Sequence, residues 1–204
     1  AVVIATGSRP RLLPLFDGLG DRLLVNDDVF DWETLPRSVA VFGPGVVGLE
    51  LGQALHRLGV RVRMFGVGGF LGPITDPEIR VHATRVFGAE LPLDTDATVH
   101  ALRREGDEVV VAFDEGGARV EERFEHVLAA VGRVPRVDGL GLERTGLPLD
   151  RLGVPVHDPA TLRAGDSRVF VAGDVTGTLP VLHEAADEGR VAGENAARPE
   201  ARPI

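Results

Sequence analysis

Cysteine, lysine and tyrosine are absent from the 204-residue chain, and each absence removes a class of chemistry. No disulfide, thiolate nucleophile, Schiff-base amine or phenolic proton donor can come from this sequence. All 22 basic residues are arginine, which reads as compositional bias ahead of functional need. The six histidines (His56, His82, His100, His126, His157 and His183) are scattered, with no pair at metal-ligand spacing, so no metal site is expected. Long apolar runs are missing too. Nothing approaches the roughly 18 to 20 residues that span a bilayer, and no charged-then-apolar leader precedes Ala1. A soluble, cytoplasmic protein with no membrane partner is the expectation. Basic charge is also short, with 31 acidic residues against 22 basic ones leaving −9. That sign opposes a phosphate backbone, so nucleic acid is not an expected partner.

What is present is ample apolar material. Hydrophobic residues make up 44% of the chain, enough to pack one large or two modest domains. The most informative stretch is Gly43-Pro44-Gly45-Val46-Val47-Gly48-Leu49-Glu50, directly after the apolar run Val39 to Phe42. Strand, glycines and helix in this order build a pocket for a dinucleotide pyrophosphate. Gly43 permits a tight turn, Gly45 removes the side chain that would hold a pyrophosphate off the backbone, and Gly48 lets the next helix approach the strand. That helix is predicted over Val46 to Leu58, aiming unpaired amides and its positive dipole end at the phosphates. Val47, Leu51, Ala54, Leu55 and Leu58 fall on one predicted face. Gly59 stops the helix, and Val60 to Phe65 form the second strand of a βαβ unit. A βα turn whose glycines serve packing alone would share this spacing, but here every element stands where the pyrophosphate mechanism needs it.

The chain opens on Ala1 in what reads as mid-strand, as if cut from something longer. The loop-rich stretch through Pro14, Gly18, Gly20 and Pro36 reads as an interdomain linker. Asp76 caps a second predicted helix that starts at Pro77, turns Ile79, Ala83, Val86 and Phe87 inward and ends at Gly88. From Ala97 the period changes to strands: "ATVHALRR", "DEVVVAF", a turn at Asp114-Glu115-Gly116-Gly117, "ARVEER" and "HVLAAVG", a β-meander closing one face of the sheet. A late strand, Val169 to Ala172, ends on Gly173-Asp174. A carboxylate just past the carboxyl end of a strand can accept hydrogen bonds from sugar-alcohol hydroxyls. A last helix is predicted from Leu182 to about Ala197, packing through Leu182, Ala185, Ala186, Gly189, Ala192 and Ala196. No internal repeat or low-complexity tract is visible.

Three segments in this order, "VVIATGSRP", "VAVFGPGVVGLELGQALHRLG" and "VFVAGDVTGTLPVLHEAADEGRVAGENAA", resemble the pyridine nucleotide–disulfide oxidoreductases, most closely their dihydrolipoamide dehydrogenase members. The resemblance implies an α/β fold, with a Rossmann-like nicotinamide-dinucleotide domain (parallel sheet plus β-meander) and part of a discontinuous FAD-binding domain. It divides the chain into residues 1–36 (end of the first FAD-domain segment and linker), 37–133 (NAD(P)-binding domain) and 134–204 (second FAD-domain segment). It implies NAD as cofactor, with NADP possible, and FAD and a homodimer in the full-length protein. Thr6, Gly7 and Ser8 would lie beside the flavin in a small, close-packed turn; a plain strand-to-loop turn is the alternative reading of the same residues. Gly43, Pro44, Gly45, Val46, Val47, Gly48 and Leu49 would hold the nicotinamide dinucleotide. Glu50, read as a first-turn residue, resembles the family's acid near nicotinamide and flavin and is the catalytic candidate; a first-turn glutamate also simply complements a helix dipole. Gly132, in "AVGRVPR", matches a backbone contact to the nicotinamide cofactor. Asp174 matches the aspartate on the flavin ribityl chain. Pro180, Val181, Leu182 and His183 begin a helix whose amides would face the isoalloxazine. His183 is not the family's catalytic base, which belongs to a C-terminal domain.

The departures from the family pattern are as specific as the matches. NAD users place an acid at the end of the second strand, roughly 20 residues past the glycines, and this chain has Gly66 there. NADP users favour arginine at the next position, where Val67 stands. Arg61 and Arg63 lie on the strand, either near a 2′-phosphate or paired elsewhere. These 204 residues also lack a first FAD glycine motif, a redox cysteine pair and a dimerisation domain, so the chain alone is not expected to be active. The function implied for the full-length protein is hydride transfer between nicotinamide and flavin, with electrons exchanged with a disulfide. Two other classes stay open: a non-catalytic NAD(H)-binding or sensing module, and a cysteine-independent flavoprotein reductase.

Overall fold

The computed structural model describes residues 1–198 and 200–202. Backbone contacts divide the chain into two compact units, Pro10–Gly132 and a second made of Ala1–Arg9 with the chain from Arg133 onward. The chain opens in the second of these with β1 (Val2–Ile4) and β2 (Ser8–Pro10). The Pro10–Gly132 unit then contains β3 (Leu23–Leu24), β4 (Ser38–Phe42), α1 (Val46–Arg57), β5 (Arg61–Phe65), α2 (Pro77–Glu90) and β6 (Leu93–Asp94). It continues with β7 (Val99–Glu105), β8 (Glu108–Glu115), β9 (Ala118–Phe124) and β10 (His126–Ala129).

Five of these strands form a parallel sheet in the order β3-β10-β4-β5-β6, and β7-β8-β9 form an antiparallel meander. The α/β expectation of a parallel sheet plus a meander therefore holds. The segment "HVLAAVG", read as the meander's last strand, is instead a central strand of the parallel sheet, with Val127 opposite Ala40 on β4. Its apolar run suits burial on both faces, a difference that a period-2 reading does not register.

Burial on both faces also explains β4, all of whose residues are buried. Ala40 and Phe42 face the meander, packing with Phe65, Val109, Val111, Phe113 and Phe124. Val39 and Val41 face the helices, packing with Leu55, Val62, Met64, Leu91 and Leu128. The phenylalanines run as a chain through the first cluster. Phe16 meets Phe42 edge-on at 5.4 Å, Phe42 stacks on Phe65 at 5.1 Å, and Phe65 meets Phe113 edge-on at 5.0 Å. Phe16 and Leu19, from the stretch read as linker, are buried in that core, and Leu24 is buried in the other. The sequence between Pro10 and Pro36 is thus an integral part of this unit, its short strand and single-turn helices too brief to show a period.

The helices pack differently from their apolar patterns. The buried line of α1 is Gly48, Gly52 and Leu55, while Val47, Ala54 and Leu58 of the expected face are exposed. A Cβ on Gly52 would lie 2.6 Å from the Met64 Cε atom, so the helix axis sits too close to the sheet for a side chain at that line. Asp76 caps α2 as expected, its carboxylate accepting from the amides of Glu78 and Ile79. Gly88 does not end α2, which continues to Glu90, and Ile79 and Val86 are exposed.

In the other unit, β1 pairs in parallel with β12 (Val169–Val171), and β2 pairs with β11 (Arg133–Pro135). The last helix, α3, covers Leu182–Ala197. Its packing line runs through Ala185, Glu188, Ala192 and Asn195, while Leu182, Ala186 and Gly189 of the expected side are exposed. Asn195 is almost wholly buried, and its amide binds the Thr161 and Arg202 carbonyls at 3.1 and 2.9 Å and the Arg202 amide at 2.9 Å. Leu162, buried at φ 58°, is the one non-glycine residue in left-handed conformation among the described residues. Its amide donates to the Asp158 carbonyl at 2.7 Å, which ties that conformation into the loop. Among the described residues no helix is long and apolar enough to cross a membrane.

Candidate functional site

A cavity of about 480 Å³ opens in the Pro10–Gly132 unit at the carboxyl ends of three neighbouring parallel strands. Phe42 ends β4 and Gly43 to Gly45 follow it, Phe65 ends β5 and Gly66 and Val67 follow it, and Ala130 to Gly132 follow β10; Arg11, Leu13, Leu15, Ala97 and Val99 complete the lining. Carboxyl ends of strands are where open α/β sheets receive ligands, since the chain leaves each strand toward a helix N-terminus on one side or the other.

The three motif glycines hold distinct positions. Gly43 adopts φ +102°, and a Cβ there would fall 2.4 Å from the Ala130 carbonyl oxygen. Gly48 is tighter still, its absent Cβ only 1.9 Å from the Gly43 carbonyl oxygen. Gly45 is the opposite case, with nothing within 4 Å of where its Cβ would stand. Two glycines therefore let strand and helix close on each other, and the middle one faces open space at the cavity. Gly45 is also the N-cap of α1, and no side chain caps that helix. The first amides of α1 point out of an uncapped end, a geometry that accepts an anion. The Pro44 carbonyl accepts from the Gly72 amide at 2.7 Å, which fixes the turn from outside.

Val46 is half exposed, and Leu49 and Glu50 lie further along α1, outside the cavity lining. Glu50 is the fifth helical residue, and the first turn of α1 contains no acid, which corrects its reading as a first-turn residue. Gly132, at φ +100°, does line the cavity, and its carbonyl accepts from the Arg11 amide at 2.9 Å. Gly66 lines it too, wedged where a Cβ would meet Pro44 Cγ at 2.7 Å and the Thr95 carbonyl at 2.8 Å. A side chain at that position would displace the motif turn itself. Arg61 and Arg63, the strand arginines, are both engaged by the meander. Arg63 forms ion pairs with Glu115 and Glu122 at 2.8 Å each and lies over the Phe113 ring, while Arg61 pairs with Glu122 and lies over Phe124.

In the other unit, Ser8 Oγ donates to Asp174 at 3.1 Å and accepts from Arg133 Nε at 2.7 Å. Arg133 also bonds the Ser8 carbonyl at 3.0 Å, and the Gly7 carbonyl accepts from the Arg136 amide at 2.9 Å. Asp174 follows Gly173, whose φ of +80° and ψ of −163° suit glycine alone. The Gly173 amide donates to Glu188 of α3 at 2.7 Å. Ser8 and Asp174, 166 residues apart in sequence, are thus brought together. Val181 is the N-cap of α3, and Leu182 and His183 are its exposed first residues; Pro180 precedes them and is also exposed.

Residues 1–189 match the family model described as pyridine nucleotide-disulphide oxidoreductase. The chain belongs to that family. It is 34% identical over 205 residues to the dihydrolipoyl dehydrogenase of Thermus scotoductus, covering 96% of this chain and 43% of the relative. The dihydrolipoyl dehydrogenase of Bacillus subtilis is 29% identical over 197 residues, covering 95% and 41%. A Mycobacterium tuberculosis NAD(P)H dehydrogenase (quinone) is 34% identical over 194 residues, covering 94% and 38%. Among solved structures, LpdA from Mycobacterium tuberculosis superposes with a TM-score of 0.83 at 33% identity, over all of this chain and 44% of that one. The chain spans well under half the length of the relatives it matches.

For a pyridine nucleotide-disulphide oxidoreductase, whose family binds nicotinamide dinucleotides and FAD, three residues stand out that motif reading passed over. Arg11 lines the cavity from the supposed linker, and Arg133 and Glu188 brace the Ser8–Asp174 turn from either side. Arg133 sits inside the quoted "AVGRVPR", and Glu188 follows Ala185 by three, a helical spacing that signals a shared face. No sequence signal marks Arg11. Groups with displaced proton affinity lie elsewhere. His126, at the amino end of β10, is held below the usual histidine range by burial and then by Arg22. No group of three or more metal-ligating side chains occurs among the described residues.

Proposed function

We propose that the chain is the nicotinamide-dinucleotide unit, together with a flavin-side segment, of an FAD-dependent NAD(P)H:disulfide oxidoreductase resembling dihydrolipoamide dehydrogenase. In this reading Pro10–Gly132 binds the dinucleotide, and the Ser8–Asp174 turn, with Thr6 and Gly7 before it and Pro180 to His183 at the start of α3, belongs to the flavin site. The nicotinamide, when bound, supplies hydride chemistry, and the flavin of the full-length protein passes electrons to a disulfide. The contribution of these residues is to bind and orient. Gly43, Pro44, Gly45 and Gly48 with the amides of Val46 and Val47 would seat the pyrophosphate, with Leu49 in the same dinucleotide-holding segment, Gly132 would flank the nicotinamide, and Glu50 would be the family's acid near it.

The observation that supports this most directly is the open face at Gly45 between two walled-in glycines. A glycine turn used for packing alone has no need of an empty middle position. Titrating the chain with NADH tests the reading: Gly45→Val should weaken binding at least about tenfold, since the valine would occupy the phosphate's approach. Unchanged affinity in that variant refutes the pocket. NAD(H) should bind more tightly than NADP(H), because Arg61 and Arg63 are engaged by the meander and Val67 offers no charge to a 2′-phosphate. Little FAD should be retained by this chain alone.

A second reading is favoured by one observation. The mycobacterial NAD(P)H dehydrogenase (quinone) is as similar to this chain, at 34% identity, as the dihydrolipoyl dehydrogenase of Thermus scotoductus. A flavoprotein that reduces a quinone without a thiol pair fits the same unit, and the sequence of the full-length protein separates the two.

A further inference from the structure

Among the described residues, Arg11 is the one charged side chain lining the glycine-turn cavity. It is exposed, and its guanidinium has no acidic partner among the described residues, in contrast to Arg61 and Arg63 on β5. In a chain of net charge −9, an unpaired guanidinium at a cavity mouth is an available anion site. Its backbone is also held there, since the Arg11 amide donates to the Gly132 carbonyl at 2.9 Å. One step along, Val131 Cα lies 3.2 Å from where a Cβ on Gly43 would stand. Arg11 thus stands beside the glycine turn on the β10 side, whereas Gly66 and Val67 flank the turn on the β5 side.

Which phosphate it meets follows from this order. A dinucleotide with its pyrophosphate on the β4 turn extends one nucleoside past β5, the strand that faces the adenosine ribose in this fold, and the other past β10. We infer that Arg11 pairs with the phosphate on the nicotinamide side and supplies the charge that the backbone amides alone do not. The inference rests on the dinucleotide reading above. It also explains how a site without a ribose-gripping acid at Gly66 keeps its ligand: the hold is moved from the adenosine end to the diphosphate.

The test uses the 204-residue chain and three probes: NADH, ADP-ribose, and AMP, which lacks the nicotinamide-side phosphate. Arg11→Met should weaken NADH and ADP-ribose alike by about 5- to 30-fold and leave AMP within about twofold, and it should flatten the salt dependence of NADH binding. Arg11→Lys, which keeps the charge without the fork, should fall between. Arg11→Gln serves as a second truncation should the methionine variant unfold. If Arg11→Met binds NADH as tightly as the parent chain while Gly45→Val does not, the role of Arg11 is wrong and the pocket stands. If AMP weakens as much as ADP-ribose, the charge serves the adenosine-side phosphate and the inference is overturned. If Gly45→Val is without effect, the dinucleotide reading itself has failed.

Discussion

A missing methyl group decides more at Gly48 than most side chains decide elsewhere in this protein. The Cβ would stand 1.9 Å from a carbonyl oxygen of the backbone, which has no rotamer through which to yield. At Gly52 the obstacle is the Met64 Cε atom at 2.6 Å, the far end of a flexible side chain. At Gly88, inside α2, nothing lies within 4 Å. Substitution by alanine should therefore give three different results. Gly48→Ala should cost about 3 kcal/mol or more and Gly52→Ala about 1–3 kcal/mol through overpacking. Gly88→Ala should stabilise by up to about 1 kcal/mol through helix propensity. Urea unfolding of the three variants checks the order, and a mild Gly48→Ala would show that α1 lies further from β4 than this packing requires.

At the scale of an element, β10 carries a titration. His126 begins the strand, its ring 5.9 Å from that of Trp32, and its buried Nδ1 has no hydrogen-bond partner among the described residues. Burial, and then the positive charge of Arg22, hold its proton affinity below the ordinary histidine value of 6.5. The unfolded chain therefore binds a proton that the folded chain resists, so stability falls as pH drops below about 6.5 and is recovered above it. His126→Phe should remove that slope between about pH 7.5 and 5.5, read as the urea midpoint. A slope that persists in the variant would place the titration in another group. At lower pH the carboxylates of Glu90, Glu105 and Glu121 come into play, each held low first by its hydrogen bond to arginine. Their stabilisation is present above the usual glutamate range and lost as pH falls through the lowered values. All three are exposed pairs, so their contribution is small and salt-sensitive.

On the scale of the molecule, the boundary of the dinucleotide unit is the sharpest difference between pattern and structure. Reading Pro, Gly and loop composition puts its start at residue 37, while the contacts put it at Pro10. The difference is testable. Residues 10–132 contain every residue that lines the cavity and both hydrophobic clusters of the unit, so expressed alone they should fold and bind NADH within about threefold of the whole chain. A version starting at residue 37 loses Phe16, Leu19 and Leu24 from the core and should not give a cooperative transition. Equal stability of the two fragments would return the stretch to the status of a linker.

Much of this protein is legible in its sequence. The glycine motif, the βαβ order, the Asp76 cap and the span of α3 are local signals: a turn that needs φ above zero, a carboxylate on two free amides, a period near 3.6. Such features depend on residues a few positions apart, and the chain carries them wherever it goes. What only the tertiary structure decided depends on neighbours far along the chain. Those neighbours made "HVLAAVG" a central parallel strand, gave the buried face of α1 to glycines, engaged Arg61 and Arg63 with the meander, and set Arg11 at the cavity mouth. The physical reason is that a side chain's environment is set by distance in space. A glycine looks like a gap in an apolar stripe until the sheet it lies against is in place, and an arginine is available to a ligand only when no carboxylate has folded within its reach.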